Sequence, residues 1–119
     1  MKRVLIIEDN EINLYLMRTI VRKLGYQVIE ARDGLSGVEL AIAERPDLIL
    51  MDIQLPELDG YEATKRIRAI EETKNIPIIA ITSYAMVGDR EKILAAGCTA
   101  YIEKPIEPES FIEELNKYI

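Results

Sequence analysis

Residues 46–56 read Pro46-Asp47-Leu48-Ile49-Leu50-Met51-Asp52-Ile53-Gln54-Leu55-Pro56, and the architecture can be built outward from them. Leu48 to Met51 run without a polar break into a carboxylate, and Leu55-Pro56 closes the segment. A short apolar run between turn formers predicts a strand buried on both faces, the setting of a central parallel strand. Open α/β sheets place their chemistry at the carboxyl ends of such strands. Asp52 is therefore the first candidate site residue. Alone, it could as well be the cap of the turn that follows.

The flanking sequence alternates strand and helix. Val4 to Ile7 reads as a strand ending at Glu8-Asp9-Asn10, followed by a helical stripe of Ile12, Leu16, Met17, Ile20, Val21 and Leu24, closed by Gly25. Tyr26 to Ala31 makes a second strand, and Leu35, Val38 and Ile42 mark a second helix that stops before Pro46. Beyond the organising strand, Asp59-Gly60 opens a helix carried by Ala63, Ile67 and Ile70, with Lys65, Arg66 and Arg68 on its wet side. Pro77 to Ile81 is a fourth strand ending at Thr82-Ser83. Met86, Arg90, Ile93 and Leu94 give a fourth helix closed by Gly97. Thr99 to Ile102 is a fifth strand ending at Glu103-Lys104-Pro105. Pro108 opens a last helix with Phe111, Ile112, Leu115 and Ile119 on its apolar face. Five such alternations with short connections require an α/β fold, a doubly wound parallel sheet with right-handed crossovers. The strand order does not follow from the pattern.

Bulk properties narrow the function. The 119 residues suit one domain, and a net charge of −6 argues against a surface made for nucleic-acid backbone or anionic lipid. The absence of histidine excludes His-based triads and His-ligated zinc, and the single Cys98 excludes an internal disulfide. The apolar run after Met1-Lys2-Arg3 is too short for a signal peptide, and none approaches membrane-spanning length, so a cytoplasmic protein is expected.

In a parallel sheet all carboxyl ends share one edge. Glu8 and Asp9, Asp52, Thr82 and Ser83, and Lys104 therefore converge if their strands are neighbours. Each has an ordinary alternative: Asp9 as a helix N-cap, Glu8 as a solvated charge, Thr82 as a strand residue, Lys104 as a surface lysine. Four strand ends carrying complementary chemistry outweigh these alternatives together. Clustered carboxylates repel unless a cation sits among them, and with oxygen ligands only, Mg²⁺ is the suitable ion. The set would support phosphoryl transfer to Asp52, with Lys104 and the Thr82 hydroxyl stabilising the transferred group.

These residues, with Asp59-Gly60, Tyr101 and Lys104-Pro105, make the chain resemble the receiver domain of two-component response regulators over its whole length, residues 1–119. MDIQLPELDGYEATKRIR and AAGCTAYIEKP are most similar to stand-alone regulators of the DivK type and to receivers of hybrid histidine kinases. The resemblance implies a flavodoxin-like (βα)₅ fold with strand order 2-1-3-4-5 and Asp52 as phosphoacceptor. It implies a histidine kinase or histidine phosphotransfer protein as donor, and a downstream protein target. The Mg²⁺ ligands would be Asp9, Asp52 and the carbonyl of Gln54, with Glu8 acting through water. Lys104 would pair with the phosphoryl group, its bond to Pro105 being cis. Thr82 and Tyr101 would form a switch pair that remodels the surface of the fourth helix, fifth strand and fifth helix. Gln54 and Tyr84 would occupy positions that tune dephosphorylation, Tyr84 by shielding the acyl phosphate.

Three other readings compete. A haloacid-dehalogenase-type phosphatase needs a second Asp where Gln54 stands. A flavin carrier needs a phosphate loop where Glu8-Asp9 would repel one. A receiver-like docking module acting without phosphorylation has no need of the intact set Asp9, Asp52, Thr82 and Lys104.

Overall fold

The computed structural model describes residues 1–83 and 88–119 in full, with Val87 as backbone. Five strands and five helices alternate: β1 (Arg3–Ile7), α1 (Glu11–Lys23), β2 (Gln27–Ala31), α2 (Gly34–Glu44), β3 (Leu48–Asp52), α3 (Gly60–Arg68), β4 (Ile78–Thr82), α4 (Val87–Ala96), β5 (Ala100–Glu103) and α5 (Pro108–Asn116). All pairings are parallel, in the order β2-β1-β3-β4-β5. This is the flavodoxin-like order that the resemblance implied. Among the described residues no helix is long and apolar enough to cross a membrane.

The side-chain period of two divides the core into two halves. Leu5, Ile7, Ile49, Met51, Ile78 and Ala80 face α2, α3 and α4. Val4, Ile6, Leu48, Leu50, Ile79 and Ile81 face α1 and α5, meeting Leu14, Met17, Phe111 and Leu115. β3 and β4 are buried at every residue, because each has a strand on both sides and helices on both faces. Burying one such side chain contributes about 2 kcal/mol.

Local sequence sets the helix boundaries. Asn10, Asp33 and Asp59 each cap a helix by accepting from the N–H three residues on. Gly97 ends α4 with φ +111°, a conformation that favours glycine. At Gly60 the constraint is space: a Cβ would lie 2.4 Å from the Asp52 carbonyl oxygen. The missing side chain lets α3 start hard against the end of β3.

Several helix faces differ from the sequence expectation. In α1 the buried stripe is Leu14, Met17, Ile20 and Val21, while Ile12 points outward. In α2 the buried residues are Gly34, Gly37, Val38 and Ala41, and Leu35 and Ile42 are exposed. Small residues bring α2 close to the sheet, and large ones would not fit there. Leu94 of α4 is likewise exposed, and Met86 lies outside the described residues. Arg68 is not on the wet side of α3. Its guanidinium donates to the carbonyls of Gly97 (2.8 Å), Lys74 (3.1 Å) and Ile76 (2.6 Å) and to Thr99 Oγ1 (3.4 Å), joining α3 to the turn before β5.

Candidate active site

The strand order makes β1, β3, β4 and β5 consecutive, so their carboxyl ends meet along one edge. Glu8 follows β1, Asp52 ends β3, Thr82 ends β4 and Lys104 follows β5. Glu8, Asp52 and Thr82 are buried. Lys104 Nζ lies between the two carboxyl groups, 3.2 Å from Asp52 Oδ1 and 3.5 Å from Glu8 Oε1, with only 15% of its side chain exposed. It is no ordinary surface lysine. Its peptide bond to Pro105 is cis, as the resemblance implied.

Asp9 stands at the mouth of the site, exposed, and carboxylate oxygens of Glu8, Asp9 and Asp52 lie within 4.8 Å of one another. Asp9 does not cap α1. That role falls to Asn10, whose Oδ1 accepts from the Asn13 N–H at 2.9 Å. Backbone donors hold the two buried carboxylates from behind. The Asn10 N–H donates to Glu8 Oε2 at 3.2 Å and the Gln54 N–H to Asp52 Oδ1 at 3.1 Å. Asp52 thus makes the turn bond that the sequence offered, and that bond fixes the orientation of its carboxylate at the sheet edge.

Charge in this cluster is unbalanced. Burial pushes the Glu8 carboxyl up to about 8, and Asp52 beside it adds to the rise. Lys104 and the Asn10 N–H pull the other way without cancelling it. Among the described residues Glu8 Oε1 has no hydrogen-bond partner, since at 3.5 Å the Lys104 ammonium supplies charge but no bond. Three clustered carboxyl groups, two of them beside one lysine and one with a buried oxygen unsatisfied, form a donor set suited to a hard divalent ion that keeps some of its waters. These residues fit Mg²⁺.

Gln54 carries a contact that the sequence did not reveal. Its Nε2 donates to Thr82 Oγ1 at 3.1 Å, and its Oε1 accepts from the Ser83 N–H at 3.4 Å. The loops after β3 and β4 are thereby bridged. Nothing in the sequence aims an amide two residues past Asp52 at β4. Tyr101 is half-buried against the core, its ring 5.5 Å from the Arg90 guanidinium carbon. Tyr84 lies outside the described residues.

The comparisons agree with this geometry. The family model of the response regulator receiver domain matches residues 4–116. The chain is a response regulator receiver domain. Such receivers serve two-component and phosphorelay signalling. This receiver is 50% identical over 118 residues to the polar-differentiation response regulator DivK of Brucella anthropi, covering 99% of this chain and 96% of DivK. It is 42% identical, with a TM-score of 0.91, to the receiver domain of the sensor histidine kinase PA1611 of Pseudomonas aeruginosa, covering 98% and 96% of the two chains. That structure has a magnesium ion in its active-site cleft. The receiver domain of Saccharomyces cerevisiae Ssk1, solved with the histidine phosphotransfer protein Ypd1, is 31% identical with a TM-score of 0.91, covering 98% of this chain and 88% of that one.

Proposed function

We propose that this receiver takes a phosphoryl group onto Asp52 from a histidine kinase or histidine phosphotransfer protein and passes the signal to a downstream protein. The observation carrying this reading is the Lys104 ammonium set between the buried carboxyls of Asp52 and Glu8, with Asp9 at the mouth. A carboxylate oxygen of Asp52 attacks phosphorus as the P–N bond to the donor imidazole breaks. The bonding pair leaves with that nitrogen, and an acyl phosphate forms on Asp52. No base is needed, because ionised aspartate is already nucleophilic. Asp9, Asp52 and the Gln54 carbonyl would hold Mg²⁺, with Glu8 acting through water. The ion would neutralise charge on the transferred group. Lys104 and the Thr82 hydroxyl hold the remaining phosphoryl oxygens. Thr82 and Tyr101 then act as the switch pair for the α4-β5-α5 surface. The domain acts only on its own aspartate. A cytoplasmic setting suits this acidic chain with its free, buried Cys98.

Intact-mass analysis after incubation with acetyl phosphate tests the reading. A Mg²⁺-dependent phosphoryl adduct is expected, absent from Asp52→Ala. No adduct under any condition would leave the docking module as the better account.

The exposed side of α1 beside the site suits the donor's docking face. Ile12 and Tyr15, in the first turns of α1, the helix that follows Asp9, are 78% and 62% exposed. Exposed apolar side chains at an active-site rim suit a partner surface. Ile12→Glu is expected to slow uptake from a phosphorylated histidine phosphotransfer protein by about tenfold, the cost of losing one interface anchor. Labelling by acetyl phosphate should be unchanged. Equal slowing with both donors would place the defect in the site instead.

A further inference from the structure

Arg90 on α4 makes two contacts with β5. Its guanidinium lies over the Tyr101 ring, 5.5 Å from the centroid, and Nη2 lies 3.8 Å from Glu103 Oε1. The planar cation thus grips two residues on the same side of the strand, one by its ring and one by its carboxylate. What they adjoin gives the grip its meaning. Glu103 is the register partner of Thr82, and Tyr101 that of Ala80. The next residue, Lys104, donates its N–H to the Thr82 carbonyl at 2.8 Å and directs its ammonium at Asp52. Any movement of Thr82 or Lys104 toward a phosphoryl group pulls on the strand that Arg90 ties to α4.

We propose that Arg90 is a positioning residue: by holding Tyr101 and Glu103 to α4, it sets the fraction of molecules in which β5 is ready to close on a phosphorylated Asp52. This rests on the phosphoacceptor reading above and assigns its threshold to a residue outside the site. A ligand of the closed form binds more weakly by the fraction of molecules that are competent, so loosening the grip raises apparent affinity. Both contacts are solvent-exposed, with 47% of the Arg90 and 57% of the Glu103 side chain accessible, so the effect is moderate. A change of about fivefold is expected.

Beryllofluoride, an acyl-phosphate mimic, is the probe. Protein labelled with 3-fluorotyrosine is titrated in Mg²⁺ and followed by fluorine NMR, with Tyr101→Phe assigning the resonance. In Arg90→Ala the Tyr101 resonance should already be shifted before titration, and half-saturation should come at about fivefold lower beryllofluoride. Glu103→Gln, which keeps the stacking, should shift half-saturation less, and Arg90→Lys should fall between wild type and Arg90→Ala. A normal wild-type response with Arg90→Ala unchanged in resonance and half-saturation would overturn the proposal while sparing the reading beneath it. No wild-type response at all would overturn both.

Discussion

Replacing Lys104 with methionine is expected to slow phosphoryl uptake from acetyl phosphate by about two to three orders of magnitude, the usual loss when one preorganised charge is removed from a transferring group. The same variant should bind Mg²⁺ more tightly. In the wild type the ammonium sits 3.2 Å from Asp52 and 3.5 Å from Glu8, where it partly neutralises the carboxylates that would hold the ion. Removing it leaves those charges to the metal alone. Opposite changes in the two measurements are the signature of a lysine placed for the phosphoryl group. A variant damaged in folding would lose both together. Single-turnover labelling and a Mg²⁺ titration on one preparation decide the matter, and a methionine variant labelled at the wild-type rate would remove Lys104 from the mechanism.

The second large effect concerns stability without a divalent ion. The native Glu8 carboxyl keeps its proton to about pH 8, whereas an ordinary glutamate releases it near 4.5. Between those values the native state binds more protons than the unfolded one, so stability falls as pH rises through the window. The contribution is fully present below 4.5 and lost above about 8. Mg²⁺ bound to the ionised cluster, and only in the folded chain, would act against this trend. At a hundredfold excess over its dissociation constant it should add about 2.7 kcal/mol. For a domain of this size that raises the melting temperature by about 10 °C. The gain should be largest at the alkaline end. Thermal melts with chelator, sodium-matched buffer and Mg²⁺ across the window test this. A gain from Mg²⁺ that does not depend on pH would show that Glu8 takes no part.

Most of the fold can be read in the chain because its signals are redundant. Leu48 to Met51 and Ile78 to Ile81 are apolar at every position and bounded by turn formers, as strands buried on both faces are. Asp59 and Gly25 mark helix boundaries by mechanisms that act locally. Helix faces are less legible. In α2 the buried face is built of Gly34, Gly37 and Ala41, which hydrophobicity does not single out, and Leu35 and Ile42 drew attention to the opposite side. Ile12 is ambiguous for the same reason, since an apolar residue at a helix start signals a core contact or a partner surface equally well. In the site, the convergence of Glu8, Asp9, Asp52 and Lys104 is readable because parallel strands share one carboxyl edge and the resemblance implies the order that makes β1, β3, β4 and β5 neighbours. The bridge from Gln54 to Thr82 and the Arg90 contact with Tyr101 are not. Both depend on side-chain torsions fixed only after distant loops have met.

The joint made by Arg68 gives the domain a frame of reference that its ionic surroundings do not disturb. Its partners are carbonyl oxygens and a hydroxyl, with no carboxylate in the joint. Hydrogen bonds to such dipoles act at contact range, whereas attraction between exposed ions weakens as salt rises. The amino end of the sheet therefore stays fastened at any ionic strength. At the opposite end the ties from Lys104 to Asp52 and Glu8, and from Arg90 to Tyr101 and Glu103, depend on charge. One end of the molecule is a fixed anvil, and the other is free to answer when charge arrives.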